Sequence, residues 1–521
     1  MAGEVAEVTH VARTLSDQLP ALQVVIPMLS APLIVFLGAR GLAWWIAFAA
    51  SGLATLVSFL LMMQVIDGTF ISYTMGGWAP PLGIEYRVDI ANAFVLFLIA
   101  AIGLITLPFA RNSVAHEIPE SSHTLFWACW MLCYTGLLGM VITGDAFNIF
   151  VFLEISSLST YVLVAQGAHK DRRALTAAFD YLIMGTIGAT FFVIGLGMLY
   201  MATGTLNLVD IHARIEELGV NRTIRSGFAF ILVGMGLKVA MLPLHLWLPR
   251  AYVFAPSAVT VLLSATATKA AIYVILRFVF TVFDPTFSFV ENTLQIILLP
   301  LAIIAMFSAS FVAVFQTNLK RMLAWSSIAQ IGYILLGAAL LSQIGLAAGI
   351  IHLFNHGITK ALMFMGVGAL MLHAGGAFYT QLAGMGRQMP LTGAAIVVGG
   401  LSLIGIPGTA GFVSKWLLVQ AAFERGVDQP VYLLVAFAIL ASSLLAVVYV
   451  WRVIEVLYLQ KPTGEAREVS WSMQIPMWIL AAGCIYFGVD TSLTMEAANE
   501  AANVLIRGTV EVSSGGLELS Q

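Results

Sequence analysis

The sequence predicts an all-α polytopic membrane protein of about fourteen transmembrane helices, and three observations carry that reading. Hydrophobic residues fill 60% of the 521 positions and charged residues only 10%, against roughly 25% charged in soluble domains. Apolar runs of about 20 residues, the length that crosses a hydrocarbon core, recur along the whole chain. Four of the seven lysines, Lys238, Lys269, Lys360 and Lys415, fall inside such runs. An ammonium group at membrane depth costs between about 3 and more than 10 kcal/mol. A chain that places its lysines there uses them to hold or move charge across a bilayer.

By the length rule the spans run near 22–38, 43–66, 89–110, 124–143, 146–166, 175–202, 227–249, 256–282, 293–315, 321–342, 345–373, 391–423, 431–457 and 472–489. The longest polar connection, about Asp210 to Arg225, is too short to fold alone. The acidic N-terminus lacks the basic start and small-residue cleavage site of a secretory signal, so the first helix is expected to stay attached. Placing Arg40 on the cytoplasmic side puts Arg111, Lys170, Arg172, Arg173, Lys320, Arg321, Arg387, Lys461 and Arg467 in loops there too. The excess of basic residues on that side then sends both termini outward.

Two spans are broken. The seventh reads GLKVAMLPLHLWLPRAYVFAPS, with Pro243, Pro249 and Pro256 following Lys238; the twelfth reads LSLIGIPGTAGFVSKWLL, with Gly405, Pro407 and Gly408 before Lys415. Proline removes a backbone donor and glycine loosens the helix. Within lipid such breaks persist only where protein or water satisfies the freed groups. Paired discontinuous helices in two halves mark a transporter built from inverted repeats.

Other ionisable residues accompany the lysines. Glu154 lies mid-span, with Lys238 as its natural partner; a carboxylate facing a cation stays ionised, whereas a lone buried one takes up a proton. The bland reading is a static ion pair pinning two helices. Lys269 is flanked by apolar residues on both sides, which disfavours snorkelling, whereas Arg277, nearer its helix end, is expected to snorkel. His352, His356 and Lys360 are spaced four and four, so they share one helix face, and histidine titrates near neutrality. Lys415 stands between the second break and the helix exit at Glu424 and Arg425. His245, in the first break, either bridges Lys238 and Lys269 or bonds freed carbonyls.

Other chemistries find no support. The net charge of -3 offers no basic face for nucleic acid. Cys129, Cys133 and Cys484 form no C-x-x-C pair, and Cys129 and Cys133 read as packing residues. No phosphate loop, nucleophile elbow or zinc spacing appears, so no cofactor and no metal is expected.

The runs TGDAFNIFVFLE, LKVAMLPLHLWLPRAYVFAPSAVTVLLSATATKA, LKRMLAWSSIAQIGY, HLFNHGITKALMFM and GIPGTAGFVSKW resemble the antiporter-like membrane subunits. These are shared by respiratory complex I, membrane-bound hydrogenases and Mrp-type multisubunit cation/proton antiporters. The resemblance covers about residues 85 to 460. It implies two inverted five-helix repeats with helices seven and twelve broken. The corresponding boundaries are residues 1–123 for three leading helices, 124–283 and 284–457 for the repeats, and 458–521 for a last helix with a short tail. It also implies a proton path through Glu154 paired with Lys238, then Lys269, the group of His352, His356 and Lys360, and finally Lys415. GGWAPPLGIEYRVDIANAFVLFL, MLYMATGTLNLVDI and MEAANEAANVLI look most similar to the D subunit of Mrp-type Na+/H+ antiporters, as does Gln330, where complex I subunits usually carry histidine. That implies a bacterial inner-membrane location, protons and Na+ as transported ions, and other membrane subunits as partners. The alternative is a proton-pumping subunit of a redox complex. Asp180, where the family is often basic, either joins the Glu154–Lys238 region or faces an interface.

Overall fold

The computed structural model describes residues 16–38, 40–462 and 464–515. The acidic N-terminal stretch before residue 16, the end of the expected tail and the side chain of Arg40 lie outside the described residues.

Among the described residues, twelve helices are long and apolar enough to cross a membrane. In chain order these are α1 (Leu19–Leu37), α2 (Arg40–Val65), α3 (Ile90–Glu117), α4 (His123–Ile142), α5 (Ala146–Ala165) and α6 (Arg173–Thr203). After the first break come α10 (Ser257–Val282), α11 (Ser288–Val314), α12 (Leu319–Ala339) and α13 (Gln343–Ala374). After the second come α16 (Val431–Leu459) and α17 (Trp471–Val489). The seventh expected span is split into α8 (Arg222–Val239) and α9 (Trp247–Phe254), and the twelfth into α14 (Pro390–Ile404) and α15 (Ala410–Asp428). These two discontinuous crossings bring the total to the fourteen expected. A sharp bend of 112° also separates α14 from the short turns over Tyr379–Gln388 that precede it.

Three connections carry structure that an all-helical reading missed. The strands β1 (Ile71–Thr74) and β2 (Glu85–Val88) form an antiparallel hairpin between α2 and α3, with Ile71 opposite Val88. The polar connection after α6 holds α7 (Leu208–Leu218), whose apolar side buries Leu208, Ile211 and Ile215. The expected short tail forms α18 (Ser492–Gly515), which lays Ala497, Ala498, Ala501 and Ala502 against α13 and α3.

One backbone bridge occurs twice. Asp145, which caps α5, pairs with Asn207: Ala146 N–H donates to Leu206 O at 2.8 Å and Leu208 N–H to Gly144 O at 2.9 Å. Asn318, which caps α12, pairs with Phe378 in the same way, Leu319 N–H donating to Ala377 O at 2.8 Å and Tyr379 N–H to Thr317 O at 2.9 Å. An odd number of crossings, α5, α6, the α8/α9 pair, α10 and α11, separates the two caps. The bridges therefore lie on opposite membrane faces; the Asp145 bridge shares its face with the β-hairpin.

Helices that hold the site pack backbone to backbone. Where α6 crosses α8, a Cβ on Gly234 would lie 2.6 Å from Gly188 O. Small residues at such crossings let helices approach in a medium that offers no hydrophobic drive between them. Gly234→Ala is expected to push α8, with Lys238 at its end, off α6. The cost is about 1–3 kcal/mol, visible as a lower unfolding temperature of the detergent-solubilised protein.

Candidate functional site: a line of buried cations

The first station forms where α8 stops. Ala240 takes a left-handed φ of 61° and ends the helix just after Lys238. The indole of Trp247, on the far side of the break, donates to Leu237 O at 2.8 Å and so satisfies a carbonyl that the break frees. Lys238 is buried and its ammonium donates to Ser157 Oγ on α5. Ser157 in turn donates to Leu153 O at 2.6 Å, the usual way a hydroxyl is satisfied inside a helix. Glu154 stands one turn before Ser157, within electrostatic reach of Lys238, yet makes no ion pair with it. Its buried Oε1 has no hydrogen-bond partner. Lys238 thus bonds a neutral hydroxyl, while Glu154 acts on it through its field. A small cavity lined by Ser156, Ser157, Thr160, Tyr181, Lys238, Ala267 and Ala271 lies between Lys238 and α10.

Lys269, fully buried at 0% exposure, is the next station. Residues Leu263–Ala267 form a wider, π-type turn inside α10, a local irregularity that recurs at functional sites. The Lys269 ammonium folds back on this turn and donates to Ser264 O at 2.5 Å and Thr268 Oγ1 at 3.4 Å. Among the described residues, no carboxylate contacts it.

The shared face of α13 holds the third group. Lys360, also 0% exposed, donates to Leu323 O at 2.9 Å and Ser326 Oγ at 2.5 Å, both on α12. Both ring nitrogens of buried His356 lack a protein partner, and the ring lies within electrostatic reach of Lys269, Lys360 and Lys415. His352 bridges Gln330 Oε1 on α12 and Ser414 Oγ on α15, each at 2.8 Å, and its ring runs parallel to His356 at 6.4 Å. Lys415, beside Ser414, reaches across the second break to Leu403 O at 3.0 Å and Ile404 O at 2.9 Å, the last carbonyls of α14. A cation there also opposes the negative end of that half-helix. Among the described residues, no group of three or more His, Cys, Asp and Glu side chains could hold a metal ion.

Two residues whose places the sequence left open lie apart from this line. His245 packs edge-on against Trp325 of α12 at 5.2 Å, leaves its Nδ1 without a partner and contacts neither Lys238 nor Lys269. Asp180 joins Arg250 of α9 at 2.6 Å on an exposed face, away from Glu154. The adjacent Tyr181 stacks on Trp247 at 4.2 Å, so this pair helps hold α9 against α6.

Two charged clusters escaped the sequence reading. Arg277 does not snorkel: it is buried and pairs with Asp89 at 2.7 Å, while its Nε donates to Tyr273 OH at 2.9 Å. Asp89 is the N-cap of α3, accepting from Asn92 N–H at 3.2 Å, and Asn92 returns the bond to Asp89 N–H at 2.9 Å. That reciprocal cap was visible in VDIAN as a capping residue with an amide three positions on. Lys320, expected in a loop, is buried on the first turn of α12 and donates to Ala255 O at 2.8 Å. Nearby Glu117, at the end of α3, accepts from Ser257 N–H at 3.1 Å and caps the start of α10. Both groups line a cavity of about 510 Å³ on the face opposite the β-hairpin, together with Lys170, Arg173, Asn318 and Arg321.

Known proteins share this geometry. Residues 143–442 match the family described as "NADH:quinone oxidoreductase/Mrp antiporter, TM". A protein of Desulforudis audaxviator, named as the N subunit of an NADH-quinone oxidoreductase, is 36% identical over 91% of this chain and 96% of its own. The D subunit of the Na(+)/H(+) antiporter of Alkalihalophilus pseudofirmus is 29% identical over 90% of this chain and 92% of its own. Among solved structures, a chain of the Mrp complex from Dietzia superposes with a TM-score of 0.87 at 27% identity, covering 96% of this chain and 99% of that one.

Two outcomes follow from the site. Ser157→Ala removes the hydroxyl that accepts from Lys238 and is expected to slow ion translocation about tenfold, with Ser157→Thr close to parent, as read by dye quenching in vesicles. Desolvation alone would raise the Asp89 carboxyl, but Arg277 and the Asn92 N–H outweigh it and hold it below the ordinary value. A lowered folded-state pKa contributes stability above the ordinary value that is lost as pH falls through the folded one. The Asp89–Arg277 pair is therefore expected to stay intact from about pH 5 to 9, with no change in its contribution to the unfolding temperature across that range.

Proposed function

Because the chain belongs to the NADH:quinone oxidoreductase/Mrp antiporter membrane family, we propose that its buried cations form a proton relay within a multisubunit Na+/H+ antiporter. The chain is a multi-pass subunit of a bacterial inner membrane and works among other membrane subunits. The observation that carries the relay reading is the set of four buried ammonium groups, each held by neutral oxygens. Lys238 meets Ser157, Lys269 meets Ser264 O, Lys360 meets Leu323 O and Ser326, and Lys415 meets Leu403 O and Ile404 O. A carboxylate in contact would lock a lysine in its charged form, whereas a hydroxyl or carbonyl lets the group lose and regain a proton.

In this reading Glu154 loads Lys238 through the space around Ser157, and the charge passes along the small cavity to Lys269. His356, with two free ring nitrogens, passes the proton between Lys269 and Lys360. His352, fixed by Gln330 and Ser414, links that pair to Lys415 at the second break. Each unit charge crossing the field exchanges about 2.3 kcal/mol per 100 mV, so the stations must act in sequence. The two bridges on opposite faces support the inverted five-helix repeats at 124–283 and 284–457.

A second reading, a proton-pumping subunit of a redox complex, is favoured by the 36% identity to an NADH-quinone oxidoreductase subunit. Both readings use the same membrane chemistry and differ in partners. Copurification in mild detergent is expected to bring down small membrane subunits; flavin and iron–sulfur proteins would transfer the assignment to the redox reading. Lys238→Ala and Glu154→Gln are each expected to cut cation/proton exchange in everted vesicles by more than about tenfold with the complex still assembled. Parental activity in either variant would remove the relay.

A further inference from the structure

Helices α3 and α10 run antiparallel and are bolted together at both ends by carboxylates of α3. On one face Glu117 binds the first turn of α10, and the 510 Å³ cavity opens at that bolt. On the hairpin face Asp89 binds Arg277, 188 residues away in the chain, at 2.7 Å. Lys269 stands between the bolts, eight residues and about 12 Å of helix from Arg277.

The two ends differ in kind. The Asp89–Arg277 end is buried and charge-balanced: Asp89 and Arg277 have side chains only 4% and 7% exposed. Glu85 and Arg87 of β2 extend the cluster, 3.9 Å apart, so that two acids and two bases alternate. Glu85 accepts from Ser72 on the facing strand at 2.5 Å and from Asn207 at 2.8 Å. The cluster thereby joins the hairpin, the Asp145–Asn207 bridge, α3 and the end of α10. Arg87 closes the outside by lying 4.0 Å over the ring of Phe70.

From this asymmetry we propose that Asp89 and Arg277, braced by Glu85 and Arg87, are positioning residues that seal the relay against the hairpin face. Arg277, whose charge Asp89 cancels at 2.7 Å, cannot give up its own proton and so offers no station above Lys269. The pairing also removes the buried space that a water file would need. The proposal rests on the relay reading for the route it blocks, and its test separates the two.

The double variant Asp89→Asn/Arg277→Gln keeps a capping side chain on α3 and leaves no orphan charge. In everted vesicles holding the assembled complex, without Na+, it is expected to dissipate an imposed pH gradient about tenfold faster than the parent. Arg277→Lys, which preserves the charge, is expected to stay tight. A pin that only stabilises the fold would lower the unfolding temperature without adding a leak, so an assembled, tight double variant overturns the seal. Adding Lys269→Ala to the leaking variant is expected to close the leak. If the leak persists, the seal stands and the route through Lys269 falls. Should the double variant fail to assemble, Ala270→Cys in the otherwise native chain decides. It is expected to resist a membrane-impermeant maleimide applied from the hairpin face, and labelling above that of the native cysteines overturns the seal.

Discussion

An ammonium group in the middle of a membrane protein must find oxygen atoms, and that demand organises this molecule. Regular helical backbone rarely offers one, because each carbonyl is already bonded within its own helix; Leu323 O, which Lys360 reaches on α12, is an exception. The chain frees carbonyls by interrupting helices. The second break exposes Leu403 O and Ile404 O to Lys415, and the π-type turn in α10 presents Ser264 O to Lys269. Where a neighbouring helix stays regular, serine supplies the oxygen instead, as Ser157 and Ser326 do. Broken helices and buried lysines are therefore one feature described twice.

Charge is sorted by depth. The interior lysines have neutral partners, while tight ion pairs stand at the helix ends, Asp89 with Arg277 on one face and Asp180 with Arg250 toward the other. Paired charges cancel and hold elements together. Cations on neutral oxygens keep their charge available. A buried lysine tied to a carboxylate would become an anchor; Lys238 instead bonds the Ser157 hydroxyl and stays in the field of Glu154 without being fixed to it.

Much of this was legible because it depends on local sequence. Length and apolarity give the spans, proline and glycine give the two breaks, and spacing places His352, His356 and Lys360 on one face. What escaped depends on partners distant in the chain. Arg277 reads as a snorkelling residue because its anion is remote in sequence; Asp89 reaches it only after α3 and α10 lie side by side. Lys320 reads as a loop charge, since KR after an asparagine cap marks a helix start. Its burial comes from the α9–α10 corner at Ala255, 65 residues earlier. The β-hairpin was lost because its strands are four residues each, at the lower limit of what alternation can define.

The end-to-end bracing of α10 has a mechanical consequence for the relay. A helix fastened by Glu117 at its start and Arg277 near its end cannot translate as a rigid rod without breaking a buried bond. Its two wide turns, Leu263–Ala267 and Phe278–Val282, lie between and just beyond those fasteners. Movement of Lys269 is thereby confined to local rearrangement of the backbone around Ser264. Such a rearrangement changes which carbonyl faces the ammonium while leaving both ends of the helix in place. The proposed relay then needs no movement of the outer surfaces, the arrangement that suits a subunit wedged among others in a membrane complex.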